Sequence, residues 1–343
     1  MQSRALSLFR AKYIVTIKNT NKILLIRMLD KGDALCVGVP ALRYFRQKFQ
    51  GASLHFMGFA QGKELVKAAE PDVVVSGLEQ HQWPEHIIPA METFLGLAEQ
   101  IIAEGYSQIV CLDTAFMPCF LSRFLKDAGE PVVGNYISLS VQELIDQFQS
   151  QQLKPEYVND AANYLRSDFF AMARWHTPWW QSSPQLDYGY PEFYLRHCCG
   201  FDQIEMDMSV NLSESATSSD LQGDRKVVAL APFSENSAYD YPFADQLKSE
   251  LTAMGYQVWN VPKQDASVRN TLMRLQASDL LVTVPDGAQW QATAVNCPSL
   301  VVCGDMDPRR LVPDYATDPH VGPIPADDLA QSIHSIFTES ADS

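Results

Sequence analysis

A short run of consecutive apolar residues, a turn and then an amphipathic helix recur along both halves of the chain, and this rhythm restricts the fold more than any other feature. The run "KILLIRML" at 22–29 is apolar at nearly every position and ends in the polar turn Asp30, Lys31, Gly32, Asp33. Strict alternation would mark a strand with one wet face, whereas a continuous run marks one buried on both. A helix follows at 34–49, then a strand at 53–59, a helix at 62–70 that stops before Pro71, and a strand at 73–78. A helix at 92–105 ends at Gly105 and precedes strands at 108–114 and 131–137. Strands alternating with helices pair in parallel, because each helix supplies the crossover.

Between 140 and 201 the pattern becomes helical and then strongly aromatic, with Trp175, Trp179, Trp180, Tyr188, Tyr190, Phe193 and Tyr194 close together. The stretch 213–225 is small, polar and acidic, as linkers are. From 226 the strand–helix rhythm restarts, with strands at 226–233, 256–262, 279–285 and 298–305 and helices at 242–255, 268–278, 288–296 and 326–337. At 343 residues the length suits two domains of about 150 residues or more. The expectation is an α/β protein of two doubly wound parallel-sheet domains, 1–212 and 226–343, with ligands in the cleft between the carboxyl ends of their strands.

A net charge of −15 argues against a general nucleic-acid binder, since neutralising phosphates needs a basic face. The acidity is uneven. Before Asp30 there is no acidic residue, while Arg4, Arg10, Lys12, Lys18, Lys22 and Arg27 are basic. Two readings of the lead at 1–21 stand side by side: an extension with solvated cations, or a basic, partly apolar segment that touches an anionic membrane surface. No run approaches the ~18 apolar residues of a spanning helix, and no secretory signal is visible. The seven cysteines are scattered without metal-ligand spacing and mostly flanked by apolar residues, which reads as buried thiols in a reducing, cytoplasmic setting.

The strongest local motif is the Gly32-Asp33 turn after the first strand. Glycine there permits positive φ, and a carboxylate at a helix N-terminus can cap free N–H groups. A simple N-cap and a cleft-facing functional carboxylate both fit these residues. The segment "ILLIRMLDKGDALCVGVPALRYFRQKFQGASLHFMG" resembles the opening of family 9 glycosyltransferases, the ADP-heptose:lipopolysaccharide heptosyltransferases, in which a strand, a Gly-Asp turn, a Pro-Ala-Leu helix and a second strand occur in this order. "FYLRHCCGFDQIEMDMS", "VVALAPFSENSAYDYPFADQLKSEL" and "SDLLVTVPDGAQWQATAVNCPSLVVCGDMDPRRLVP" are similar to later parts of the family. The resemblance implies the two-domain GT-B fold, and inverting transfer of heptose from ADP-heptose to a lipopolysaccharide or other envelope glycan, with no metal and no cofactor.

Carried onto this chain, the resemblance makes Asp33 the general base on the acceptor hydroxyl, with Lys31 and Gly32 beside it on the acceptor side; Asp113, after the fourth strand at the same cleft end, reads as an acceptor-site or an N-cap residue. The donor would lie against Ser234, Tyr239, Asp286, Gly287, Ala288, Gln289, Trp290, Asp307 and Arg309. N–H groups of the helix after Gly287 would hold the departing diphosphate in place of a metal. This chain departs from the family pattern there. Pro285, Asp286, Gly287, Ala288 and Trp290 stand where the family has Asp-Thr/Ser-Gly-Pro and a His, and Tyr239 stands where it has a Lys. Arg309 or Arg310 is a candidate replacement cation. A second reading is therefore a protein that kept the scaffold, lost or altered its donor site, and binds glycan or nucleotide without catalysis. The aromatic block has two readings, sugar stacking or packing.

Overall fold

Burial of the first strand on both faces organises the N-terminal half. The computed structural model describes residues 21–29, 31–84, 86–182, 185–212, 223–263, 267–319 and 322–339, so the lead at 1–20 and linker residues 213–222 lie outside them. Strand β1 (Lys22–Ile26) sits inside a six-stranded sheet of order β3-β2-β1-β4-β5-β6, with Ile23, Leu24, Leu25 and Ile26 buried. β2 (Ser53–Phe59) and β4 (Gln108–Cys111) flank it in parallel, with Leu24 opposite His55 and Leu25 opposite Val110. β3 (Val74–Leu78) and β5 (Val132–Ile137) continue the parallel sheet outward. The short edge strand β6 (Leu165–Ser167) is antiparallel to β5. It belongs to the region after 140, where the strand–helix rhythm had stopped, and three residues are too few to show a period.

Helix α1 begins earlier than its pattern indicated. It is α-helical at Lys31–Asp33, π-helical at Ala34–Gly38 and α-helical again at Val39–Lys48. Pro40 accounts for the wide turn: its ring excludes the usual carbonyl approach and it has no N–H to donate, and the chain accommodates this by a one-residue expansion in which Val39 N–H reaches Ala34 O. Gly32 lies within the helical segment and is not among the residues with positive φ, which corrects the expectation of a left-handed turn there.

Helices α2 (Gln61–Ala69) and α3 (Ile87–Glu104) match their sequence patterns, α3 starting one turn sooner than expected. Helix α4 (Phe116–Asp127) was not among the expected helices; Met117, Cys119, Phe120, Leu121 and Leu125 are buried along it. Pro118 falls in its first turn, where proline is tolerated. Beyond α5 (Val141–Gln149) the aromatic stretch folds into short turns and α6, α-helical at Gly189–Glu192 and π-helical at Phe193–Cys198.

The second sheet is parallel throughout, in the order β11-β10-β9-β7-β8: β7 (Val227–Ala231), β8 (Gln257–Asn260), β9 (Leu280–Thr283), β10 (Ser299–Val301) and the two-residue β11 (Tyr315–Ala316). Helices α7 (Ala244–Ala253) and α10 (Ala326–Glu339) pack together over a smaller core that includes Val228, Leu230, Leu280 and Leu329. Helices α8 (Val268–Gln276) and α9 (Ala288–Ala294) turn inward. Residues of both, including Leu272, Trp290 and Ala292, belong to the same hydrophobic cluster as the first sheet. Val210 N–H also donates to Ala294 O at 2.8 Å, tying the end of the N-terminal half to α9.

Candidate active site

The carboxyl end of β1 places an arginine where no water reaches it. The Arg27 side chain has no exposed surface, and its terminal nitrogens donate to Asp33 Oδ1 at 2.8 Å, to Tyr190 Oη at 2.6 Å and to the Leu112 carbonyl. Its guanidinium lies 4.9 Å from the centre of the Tyr194 ring. An unpaired cation at such depth costs several kcal/mol, so the carboxylate, hydroxyl and ring are what keep this residue folded inside. Burial alone would lower the Arg27 pKa; Asp33, and then Tyr190, Tyr194 and Asp113, outweigh it and hold it well above its usual value.

Both π-helical segments border this arginine. The first carries Asp33 at its N-terminal side, and the second follows Tyr190 and contains Tyr194. Asp33 makes no side-chain cap bond to its helix, so the N-cap reading gives way to the ion pair. The Asp33 side chain keeps 13% of its surface exposed, enough to meet a ligand from the open side. Burial pushes the Tyr190 and Tyr194 hydroxyls far above their normal range, so both stay protonated.

Asp113 is fully enclosed, and its carboxylate accepts from the backbone N–H groups of Met28, Thr114 and Ala115. Its carbonyl accepts from Asn135 Nδ2 at 2.8 Å, and the same nitrogen donates to Tyr194 Oη at 3.0 Å. Burial raises its pKa, with Arg27 pulling the other way. This corrects the reading of Asp113 as an acceptor contact: it stitches the ends of β1 and β4 together behind the site.

The other half comes from the second sheet. Ser234 Oγ, at the end of β7, donates to the Pro285 carbonyl at 3.1 Å, and the Asp286 carboxylate accepts from Glu235 N–H at 3.2 Å and Ala288 N–H at 3.3 Å. Ser234 N–H is held by Asp240 at 2.7 Å. The loops after β7 and β9 therefore form one hydrogen-bonded unit, and Asp286 itself occupies the first N–H of α9. Helix α9 packs directly against the Lys31–Asp33 turn and the π segment behind it. Asp33 and the Ser234–Asp286 loops thus face one another across the junction of the two sheets.

Several expected donor residues have other duties. Trp290 is buried in the shared core. Gln289 is buried and donates to the Leu311 carbonyl at 2.9 Å, and Tyr239 packs on the smaller core. Arg309 is bound by Asp307, its Nε lying 2.9 Å from Oδ1, and Arg310 lies over the Trp180 ring at 4.5 Å. Arg309 thus answers Asp307 and Arg310 the Trp180 ring, with the Arg309 side chain 41% exposed. The aromatic block is chiefly packing: Trp179 stacks on Phe193 at 4.7 Å, and Tyr190 and Tyr194 wall the arginine. Arg27 had been one of several leading cations in the sequence; the clue to its role was a six-residue spacing to Asp33 after a fully apolar strand.

No protein-family model matches the chain, and no curated protein matches it. Solved structures do. A family 9 glycosyltransferase from Veillonella parvula superposes with a TM-score of 0.55 at 12% identity over 91% of this chain and 89% of that one. ADP-heptose lipopolysaccharide heptosyltransferase II from E. coli gives 0.53 at 14% identity over 93% and 99%. E. coli heptosyltransferase WaaC with ADP-2-deoxy-2-fluoro heptose gives 0.51 at 14% identity over the same shares. The fold is GT-B. In this GT-B chain the cleft-facing carboxylate belongs to the first sheet, and the loops of the second sheet bring their own carboxylates to meet it. Burial and Asp286 raise the pKa of Glu235, Lys31 and Lys263 oppose them, and Asp33 adds a smaller upward push. Among the described residues no cluster of three or more His, Cys, Asp or Glu is placed to hold a metal, and no helix is long and apolar enough to cross a membrane.

Proposed function

We propose that this protein is a glycosyltransferase that moves a heptose-like sugar from a nucleotide-sugar donor to a glycan acceptor, with inversion and without a metal. The observation that carries the reading is the Arg27–Asp33 pair: a carboxylate held in one orientation, partly open, at the carboxyl end of a central strand and against the loops of the second domain. Asp33 takes the acceptor hydroxyl's proton as that oxygen attacks the anomeric carbon, and the nucleoside diphosphate leaves toward Ser234 and α9. The likeness to heptosyltransferases supports a heptose-like donor, ADP-heptose first among them. A lipopolysaccharide core or related envelope glycan is the acceptor class, met at the cytoplasmic surface of the membrane.

Incubation with ADP-heptose and a lipopolysaccharide core acceptor is expected to release ADP and extend the acceptor. Neither product nor donor hydrolysis with this or other nucleotide sugars would remove the reading. Asp33→Asn, which keeps an oxygen for Arg27 but loses the charge beside it, is expected to be less stable and, per folded molecule counted by circular dichroism, to turn over about 10²–10⁴-fold more slowly; full activity in that variant would rule out Asp33 as the base. The carboxylates of Glu235 and Asp286 favour a second reading, a GT-B scaffold that binds glycan or nucleotide without transfer. Binding of a nucleotide sugar without turnover would select it.

A further inference from the structure

A nucleoside diphosphate needs cations or N–H donors, and the loops of the second sheet are short of both. Asp286 accepts from the first N–H of α9, Asp307 holds Arg309, and Trp180 covers Arg310. Tyr239 packs on the smaller core. One lysine outside the expected set does reach these loops. Lys263 follows β8, the strand paired in parallel with β7, so the two loops leave the sheet at the same end. Its ammonium donates to the Ser234 carbonyl at 2.9 Å, and its side chain is exposed. An ammonium has three donors, and among the described residues this one makes a single hydrogen bond.

We infer that Lys263 is the cation that binds the donor's diphosphate beside the Ser234 loop. The assignment rests on the proposed use of a nucleotide-sugar donor. Against burial and then Asp286, which raise the Glu235 pKa, Lys31 and Lys263 pull it down, as cations do to a nearby carboxylate. Glu235 is tethered by its backbone, through its N–H to Asp286, so the loop stays in place while Lys263 exchanges partners. A lysine suits this exchange: it is a compact point charge on a flexible stem, able to keep the Ser234 carbonyl and turn its other donors to phosphate.

The test is equilibrium binding of ADP, UDP, GDP and adenosine to the full chain and to Lys263→Gln and Lys263→Arg. Lys263→Gln is expected to weaken the preferred diphosphate by about 10-fold or more, the loss of one charge-assisted bond. It is expected to leave the melting temperature and adenosine binding unchanged, and Lys263→Arg is expected to recover most of the loss. Unchanged diphosphate affinity in Lys263→Gln overturns the assignment alone. Equal losses for diphosphate and adenosine overturn it too, since the lysine would then only shape the loop. Failure of the unaltered chain to bind any of the three diphosphates overturns both the assignment and the donor reading beneath it.

Discussion

Removing either partner of the Arg27–Asp33 pair has unequal consequences, because the two sit at different depths. Asp33→Ala leaves a guanidinium with no exposed surface and no carboxylate in contact. Breaking a buried pair this way costs about 3–5 kcal/mol, and the lower figure applies because Asp113 also faces the cation. Arg27→Met replaces the cation with an apolar side chain that fits among buried groups. The Asp33 carboxylate left behind keeps 13% of its surface and can turn to water. The Leu112 carbonyl still accepts from Tyr194 at 2.7 Å. That variant is expected to lose about 1–2 kcal/mol, from the Tyr190 and Asp33 bonds. In the double variant the enclosed charge that remains is Asp113, which keeps its three backbone N–H donors, as it does in Arg27→Met, so the loss should match that of Arg27→Met, giving a coupling energy of about 3 kcal/mol. At about 2–4 °C per kcal/mol for a unit of some 200 residues, Asp33→Ala should melt about 6–12 °C lower than the parent. Thermal and urea unfolding followed by circular dichroism measure all three. Additive losses, or an Asp33→Ala variant within about 2 °C of the parent, would refute the account of the pair as a buried, mutually dependent unit.

Two further consequences are open to measurement. Gly189 has φ +56°, and a Cβ there would meet the Arg310 carbonyl at 2.5 Å, so Gly189→Ala should disturb the contact between α6 and the 308–310 turn. A loss of about 1–3 kcal/mol is expected; an unchanged melting temperature would show that this approach is not tight. His55 is buried against Tyr106 and Ser53, with Lys22 and Glu104 nearby, and burial followed by Lys22 lowers its pKa. Below about pH 6.5 the unfolded chain gains a proton that the folded one resists, so stability falls as pH drops from there through the folded value. The melting-temperature loss between pH 7.5 and 5.5 is expected to shrink in His55→Gln; an equal or larger loss in that variant counts against the sign.

The two doubly wound sheets were legible because their signals are local, whereas GT-B came from the family resemblance. An apolar run such as 22–29 or 226–233 states burial on both faces within eight residues, and the helices between them state the parallel crossover. Asp33 stood out too, from its place after the first strand, and the structure pairs it with Arg27. Where local signals are weak, less could be read. Helix α4 carries a proline, and the antiparallel β6 is three residues long.

What holds Asp33 could come only from the folded molecule. Its cation is six residues away, but the groups that make that cation tolerable, Tyr190, Tyr194 and the Leu112 carbonyl, join it from distant parts of the chain. Gly32 turned out helical and Asp113 structural, since hydrogen-bond demand at buried strand ends outweighs the local preferences of glycine and aspartate. The sequence by itself settled which strands are buried and in what rhythm they recur. Tertiary structure alone decided which charges are enclosed, because desolvation depends on every group that surrounds a charge and not on its neighbours along the chain.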